Sequence, residues 1–274
     1  MLSATLLAGL TTLAAQAVNP GVVLQFEVKT GTEPVRVMSA SVQGQSLKMD
    51  MPATGSDQDG QVIFRGDRRE MMILNHQDKS VMVVDEAALK ELAGALGGMA
   101  AQMQQTLANV PEAQRAMVEE MMRARGMGPG PAGASRPRPE LRQTNERATH
   151  SGFATVKYEI VVGDRTVREL WVTPWESIDG HQELRPVFEA MGDFSKELMA
   201  AIAQSPIAAM ASVDSQSYTF LAEMNGFPVV TRELNAGTRP AIETTLLSAT
   251  RRPLNPDDFE PPADYRRQPM PGGQ

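Results

Sequence analysis

At 274 residues, with 42% hydrophobic side chains, the chain can bury one large domain or two small ones. A net charge of −7 argues against nucleic acid as a partner, because a phosphate-tracking surface concentrates Lys and Arg on one face. The absence of cysteine excludes disulfides, thiolate metal sites, a cysteine nucleophile and a lipid-modified N-terminal Cys, while 18 methionines against 5% aromatics point to an adaptable core.

Leu2 to Ala17 is uncharged and apolar and closes on Ala15-Gln16-Ala17, the A-x-A pattern of a signal-peptidase site. No Lys or Arg precedes the run, and the competing reading is a buried N-terminal helix. The abrupt change to Asn19-Pro20-Gly21 and then to strand pattern favours a signal peptide over 1–17 and a mature chain from Val18. No other stretch is long and apolar enough to span a bilayer, so the expectation is a soluble periplasmic or secreted protein and not an integral membrane protein.

From Gly21 to Asp85 short alternating segments (22–29, 34–43, 45–51, 61–65, 70–74 and 80–84) are separated by turn residues such as Gly31-Thr32-Glu33-Pro34, Gly44 and Gly66-Asp67. Short links pair sequential strands, which predicts an up-and-down antiparallel meander. Asp85-Glu86 then caps a change to helical period through Leu89, Leu92, Leu96, Met99, Met103 and Leu107, and a second helix follows Pro111. The pattern predicts a helical insertion over 86–125. The Gly/Pro-rich stretch 126–140 suits neither period and reads as a flexible linker.

Val156 to Trp171 reads as a β-hairpin closed by Gly163-Asp164, because Gly accepts the positive φ that the first position of a type II′ turn requires. An unbroken register places Val156, Tyr158, Ile160, Val162, Val167 and Trp171 on one apolar side and sets Glu159 near Arg168 on a wet one. Leu184, Val187, Phe188, Met191, Phe194, Leu198 and Ile202 then form one helical stripe to lie against a sheet. Asn225-Gly226 predicts a hairpin between 215–224 and 227–234, and Ile242 to Arg251 a last strand. A polar tail, 266–274, reads as disordered. The fold class is mainly β (α+β), one domain over 18–265.

The chain shows little catalytic chemistry. His76, His150 and His181 are scattered without zinc spacing. There is no G-x-S-x-G elbow, no phosphate-cradling Gly loop, and Asp57-Gln58-Asp59-Gly60 lacks the rest of an EF-hand. The expectation is a non-enzyme with no metal site or cofactor. Met99/Met103 and Met117/Met121 are i, i+4 pairs of thioethers, which suit Cu(I), although Met at this spacing is more often an apolar packing face.

The order of pieces has a counterpart. A meander including Ser46-Leu47-Lys48-Met49-Asp50-Met51, a helix-bearing insertion, Tyr158-Glu159-Ile160 leading to Leu170-Trp171-Val172, and a closing Phe259-Glu260-Pro261-Pro262-Ala263-Asp264-Tyr265 resemble an uncharacterised bacterial family. It is a domain of unknown function placed near the LolA and LolB lipoprotein carriers. The resemblance covers most of the mature chain and implies an incomplete antiparallel β-barrel of about eleven strands wrapped around helices. It also implies a carrier for a hydrophobic ligand, a lipid or lipoprotein acyl chain. Apolar residues of the concave face (Tyr158, Ile160, Val167, Trp171, Phe220 and Met224) would bind it, with Met103, Met117 and Met121 as a lid. Two other readings stay open: a Met-rich soft-metal (copper) binding module, and a structural envelope protein acting through a protein partner.

Overall fold

A computed structural model describes residues 20–51, 60–108, 139–203, 220, 223–234 and 240–269. Six strands come first: β1 (Pro20–Thr30), β2 (Arg36–Gln43), β3 (Ser46–Met51), β4 (Gly60–Arg65), β5 (Glu70–Asn75) and β6 (Ser80–Val84). Helix α1 (Glu86–Ala108) follows, then β7 (Pro139–His150), β8 (Phe153–Val162), β9 (Arg165–Thr173) and helix α2 (His181–Ala203). Strands β10 (Phe227–Leu234), β11 (Pro240–Pro253) and β12 (Arg266–Gln268) close the chain. All twelve belong to one sheet of order β12-β6-β5-β4-β3-β2-β1-β11-β10-β9-β8-β7. It is an open half-barrel, antiparallel except where β12 joins β6 in parallel.

The first six strands form the expected meander, and β1 then pairs with β11, which joins the two halves of the sheet. One face carries the main core. Alternation points Val22, Leu24 and Phe26 of β1, Ala40 and Val42 of β2, Leu47 of β3 and Phe64 of β4 toward α2, whose Leu184, Val187, Met191 and Phe194 are buried against them. This is the stripe that the helical period predicts. Asp85 caps α1, its carboxylate accepting from the Ala88 amide at 2.8 Å.

The outer face of the meander has a second, smaller core of Val23, Ile63, Met72, Leu74 and Val81. The C-terminal segment covers it with Leu254 and Phe259. Gln43 donates to the Leu254 carbonyl at 3.0 Å, Arg65 pairs with Glu260 at 2.6 Å, Lys79 with Asp264 at 2.7 Å, and the His76 ring meets the Tyr265 hydroxyl at 2.6 Å. Burying both faces of these strands explains their nearly continuous apolar runs.

Four expectations need correction. Pro139 and Glu140, read as the end of a flexible linker, open the twelve-residue strand β7, whose polar sequence hides the alternation of an edge strand. Arg266–Gln268, read as tail, form β12. Asn225-Gly226 does not turn a hairpin, because both sides of β10 are already taken by β9 and β11; Phe220 and Met224 instead share a turn in which the Phe220 carbonyl accepts from Glu223 and Met224.

The fourth concerns the central hairpin. Gly163 has the expected positive φ (+63°), and Val162 pairs with Arg165, but the register slips at Val167. Beyond that bulge Ile160 faces Arg168, Tyr158 faces Leu170 and Lys157 faces Trp171. One extra residue exchanges the faces of everything after it. Trp171 therefore lies on the outer face and Arg168 on the inner one, the reverse of the unbroken register. The expected signal peptide, the whole second helix of the insertion and residues 126–138 of the expected linker lie outside the described residues.

Candidate functional site

Between the inner face of the half-barrel and α2 lies a cavity of about 360 Å³. Its floor comes from neighbouring strands in register. Phe26 stands opposite Met38, and Ala40 opposite Met49, while Leu47 and Met51 occupy the same face of β3. The roof is Phe188 and Met191 of α2, with Met224, Phe227, Pro228 and Val229 at one side. Phe227 packs edge-on against both Phe188 and Trp175, which are tilted to each other, with ring centroids 5.4 to 6.1 Å apart, and the three hold the helix against the start of β10. Five methionines (Met38, Met49, Met51, Met191 and Met224) thus line one cavity, and flexible thioethers fit an irregular apolar occupant better than branched side chains do.

The wall is not wholly apolar. Thr231, Thr244, Arg168 and Glu233 also line it. Thr231 stands between Leu170 and Thr244 across three strands, and the adjacent row sets Arg168 between Ile160 and Glu233. The Arg168 guanidinium donates to the Glu233 carboxylate at 2.8 Å. This cluster marks one polar end of an otherwise greasy chamber.

The residues expected to bind ligand are distributed unevenly around it. Met224 lines the cavity. Ile160 is fully buried beside Arg168, and Tyr158, opposite Leu170, is half-buried against the main core, as is the bulge residue Val167. Phe220 is buried in the same core. Trp171 is on the outer face, its ring 4.8 Å from that of His150. Met103 lies on α1, and the lid residues Met117 and Met121 fall outside the described residues.

Strand reading alone missed Met38, Met49 and Met51, although plain alternation from Leu47 places the two later ones inward. It also missed Arg168 and Glu233, which no periodic signal marks. Among the described residues no group of three or more His, Asp or Glu side chains is arranged to hold a metal ion, and no helix is long and apolar enough to cross a membrane.

No protein-family model and no curated protein matches this chain. Among solved structures it is similar to an uncharacterised conserved protein from Thermus thermophilus, at 7% identity and TM-score 0.43, covering 92% of this chain and 91% of that one. It is also similar to PNGF-II, at 8% identity and TM-score 0.40, and there it covers 92% of this chain but 31% of that chain. A third likeness is to the Pseudomonas aeruginosa MucA/MucB complex, at 9% identity and TM-score 0.33, covering 91% of this chain and 58% of that one.

Proposed function

We propose that this chain is a non-catalytic binding or carrier protein that holds a hydrophobic ligand, a lipid or acyl chain, in the cavity between the half-barrel and α2, and that it works outside the cytoplasm. The observation that carries the reading is the cavity itself: about 360 Å³, within the range of small-molecule sites, lined by five methionines and by phenylalanines. The apolar Leu2–Ala17 segment with its A-x-A end and the resemblance to the LolA and LolB carriers support the same reading from the sequence. Binding is non-covalent. Displacing α2 from the sheet exposes the slot, and its return excludes water from the chain.

The test is native mass spectrometry of protein purified without detergent, followed by organic extraction and metal analysis of the same sample. A co-purifying acyl mass, or saturable uptake of a fluorescent fatty acid by the stripped protein, is the expected result. A bare mass with no uptake overturns the proposal. The clustering of five thioethers around one cavity favours a second reading, a soft-metal site for Cu(I), over the helical Met pairs that suggested it in the sequence. Copper in the sample without lipid selects that reading.

A further inference from the structure

The apolar part of the cavity explains why a greasy ligand enters, and its polar end bears on which one. Arg168 reaches the inner face because of the bulge at Val167; an unbroken strand would turn Val167 inward and leave Arg168 in water. A second irregularity, between Pro228 and Val230, lies on the neighbouring strand beside the same wall. Two departures from regular pairing thus flank the position where a permanently charged guanidinium is aimed into an apolar chamber. Bulges of this kind re-aim side chains next to functional sites.

The ion pair is also unequal. The Arg168 side chain is 8% exposed and that of Glu233 is 30% exposed. The positive partner is the deep one, the negative partner sits toward the rim, and a planar guanidinium fork matches a carboxylate or phosphate in two parallel hydrogen bonds. Thr231 and Thr244 add hydroxyls to the same wall.

We infer that Arg168 is the head-group anchor of the cavity: the ligand is an amphiphile with one apolar chain and an anionic end, and on binding its anion takes the place of the Glu233 carboxylate on Arg168. The inference rests on the proposed function and specifies its ligand. It makes Glu233 a gate that competes with the ligand for Arg168, so removing the Glu233 charge strengthens binding, which a merely structural partner would not do.

The experiment measures displacement of an uncharged, environment-sensitive apolar dye from the full chain by dodecanoate, dodecyl phosphate and dodecanol. In the wild type at least one of the two anions displaces the dye at a concentration tenfold or more below that for dodecanol, and the stronger anion tells carboxylate from phosphate. Glu233→Gln increases the preference for the anion over dodecanol several-fold. Arg168→Gln abolishes the preference of anion over dodecanol; the double variant Arg168→Gln/Glu233→Gln, which removes both members of the 2.8 Å pair, gives the same answer if the single one does not fold. Equal displacement by anions and alcohol, or a Glu233→Gln chain that binds anions no better than wild type, overturns the anchor while leaving an apolar carrier. Failure of all three compounds to displace the dye, or of the dye itself to bind, overturns the anchor together with the proposed function.

Discussion

Glu159 and Glu169 face each other directly across β8 and β9 on the outer face, and the ammonium of Lys157 lies 3.4 Å from the first and 2.9 Å from the second. The arrangement extends across the sheet. Arg142 pairs with Glu159, Glu169 with Arg232 at 3.7 Å, Arg232 with Glu243 at 2.6 Å, and Glu243 with Lys29 at 3.8 Å, so charges alternate from β7 to β1. Like charges directly opposite are destabilising without a cation between them. The Lys157 side chain is largely buried, so Lys157→Met leaves two carboxylates facing each other and costs about 3 kcal/mol. Lys157→Arg keeps the charge and costs less. Urea unfolding of the two variants separates them.

The same network sets a pH dependence. Hydrogen bonding from Arg142, and then from Lys157, holds the Glu159 carboxyl below the ordinary glutamate value of 4.5, although burial works against it. Burial pushes Lys157 down, but hydrogen bonding and attraction to Glu169, with Glu159 and Glu146, outweigh it and leave its pKa above 10.5. A depressed carboxylate adds stability above its unfolded pKa that is lost as pH falls through the folded one. A raised lysine adds stability below 10.5 that is lost as pH rises through its folded pKa. Denaturant midpoints therefore drop below pH 4.5 and above 10.5. Glu159→Gln flattens the acid limb, and Lys157→Met the alkaline one.

His150 supplies a separate step nearer neutrality. Burial against Trp171, and then the charge of Arg232, hold its pKa below 6.5, with Glu243 opposing. The unfolded chain then binds a proton that the folded chain refuses, so stability falls as pH drops below 6.5 and levels off once the folded ring also titrates. His150→Gln removes the step. Intrinsic tryptophan fluorescence (Trp171 and Trp175) during unfolding at pH 7.5 and 5.5 checks it, and an unchanged step in the variant assigns it elsewhere.

Gly180 fixes the height of α2 over the sheet. Its φ is +79°, its carbonyl accepts from the Glu183 and Leu184 amides at 3.0 Å, and a Cβ added there would stand 2.2 Å from Cγ2 of the buried Val22. Backbone strain and overpacking act together, so Gly180→Ala costs about 3 kcal/mol. Because Phe188 and Met191 ride on this helix, the variant also loosens the cavity, and bound dye becomes less protected from water. Thermal melts with and without ligand measure both effects.

Strand meander and helix stripe were legible because each repeats a period over many residues: the turns at Gly31, Gly44 and Gly66-Asp67, and the run from Leu184 to Phe194. The bulge was not, since a single inserted residue at Val167 leaves the composition of β9 unchanged while exchanging the faces of Arg168 and Trp171. Strand β7 was missed for another reason. As a polar edge strand it has few apolar positions to alternate, with Leu141 and Ala148 alone packed on the main core. The signal lay in its turn: Ser151 and Gly152 both have positive φ, and His150 pairs with Phe153 across them, the type I′ hairpin that a Ser-Gly pair favours. The cavity methionines were readable from strand alternation, but the helical Met pairs carry the more conspicuous spacing.

Ala40 provides the sharpest test of the cavity as a cavity. It is buried, faces Leu24 on one side and Met49 on the other, and its methyl group borders the open volume. Adding a large side chain to a filled core costs about 1–3 kcal/mol, because neighbours must leave their preferred rotamers. In a chamber of about 360 Å³ a phenyl ring has room and takes up the volume proposed for an acyl chain. Ala40→Phe therefore leaves the unfolding free energy within about 1 kcal/mol of the wild type while weakening uptake of a fluorescent fatty acid at least tenfold. Leu47→Ala does the opposite, costing about 3 kcal/mol in stability while still admitting the chain. A destabilised Ala40→Phe that binds as the wild type does would show that the volume closes in solution and that the acyl chain lies elsewhere.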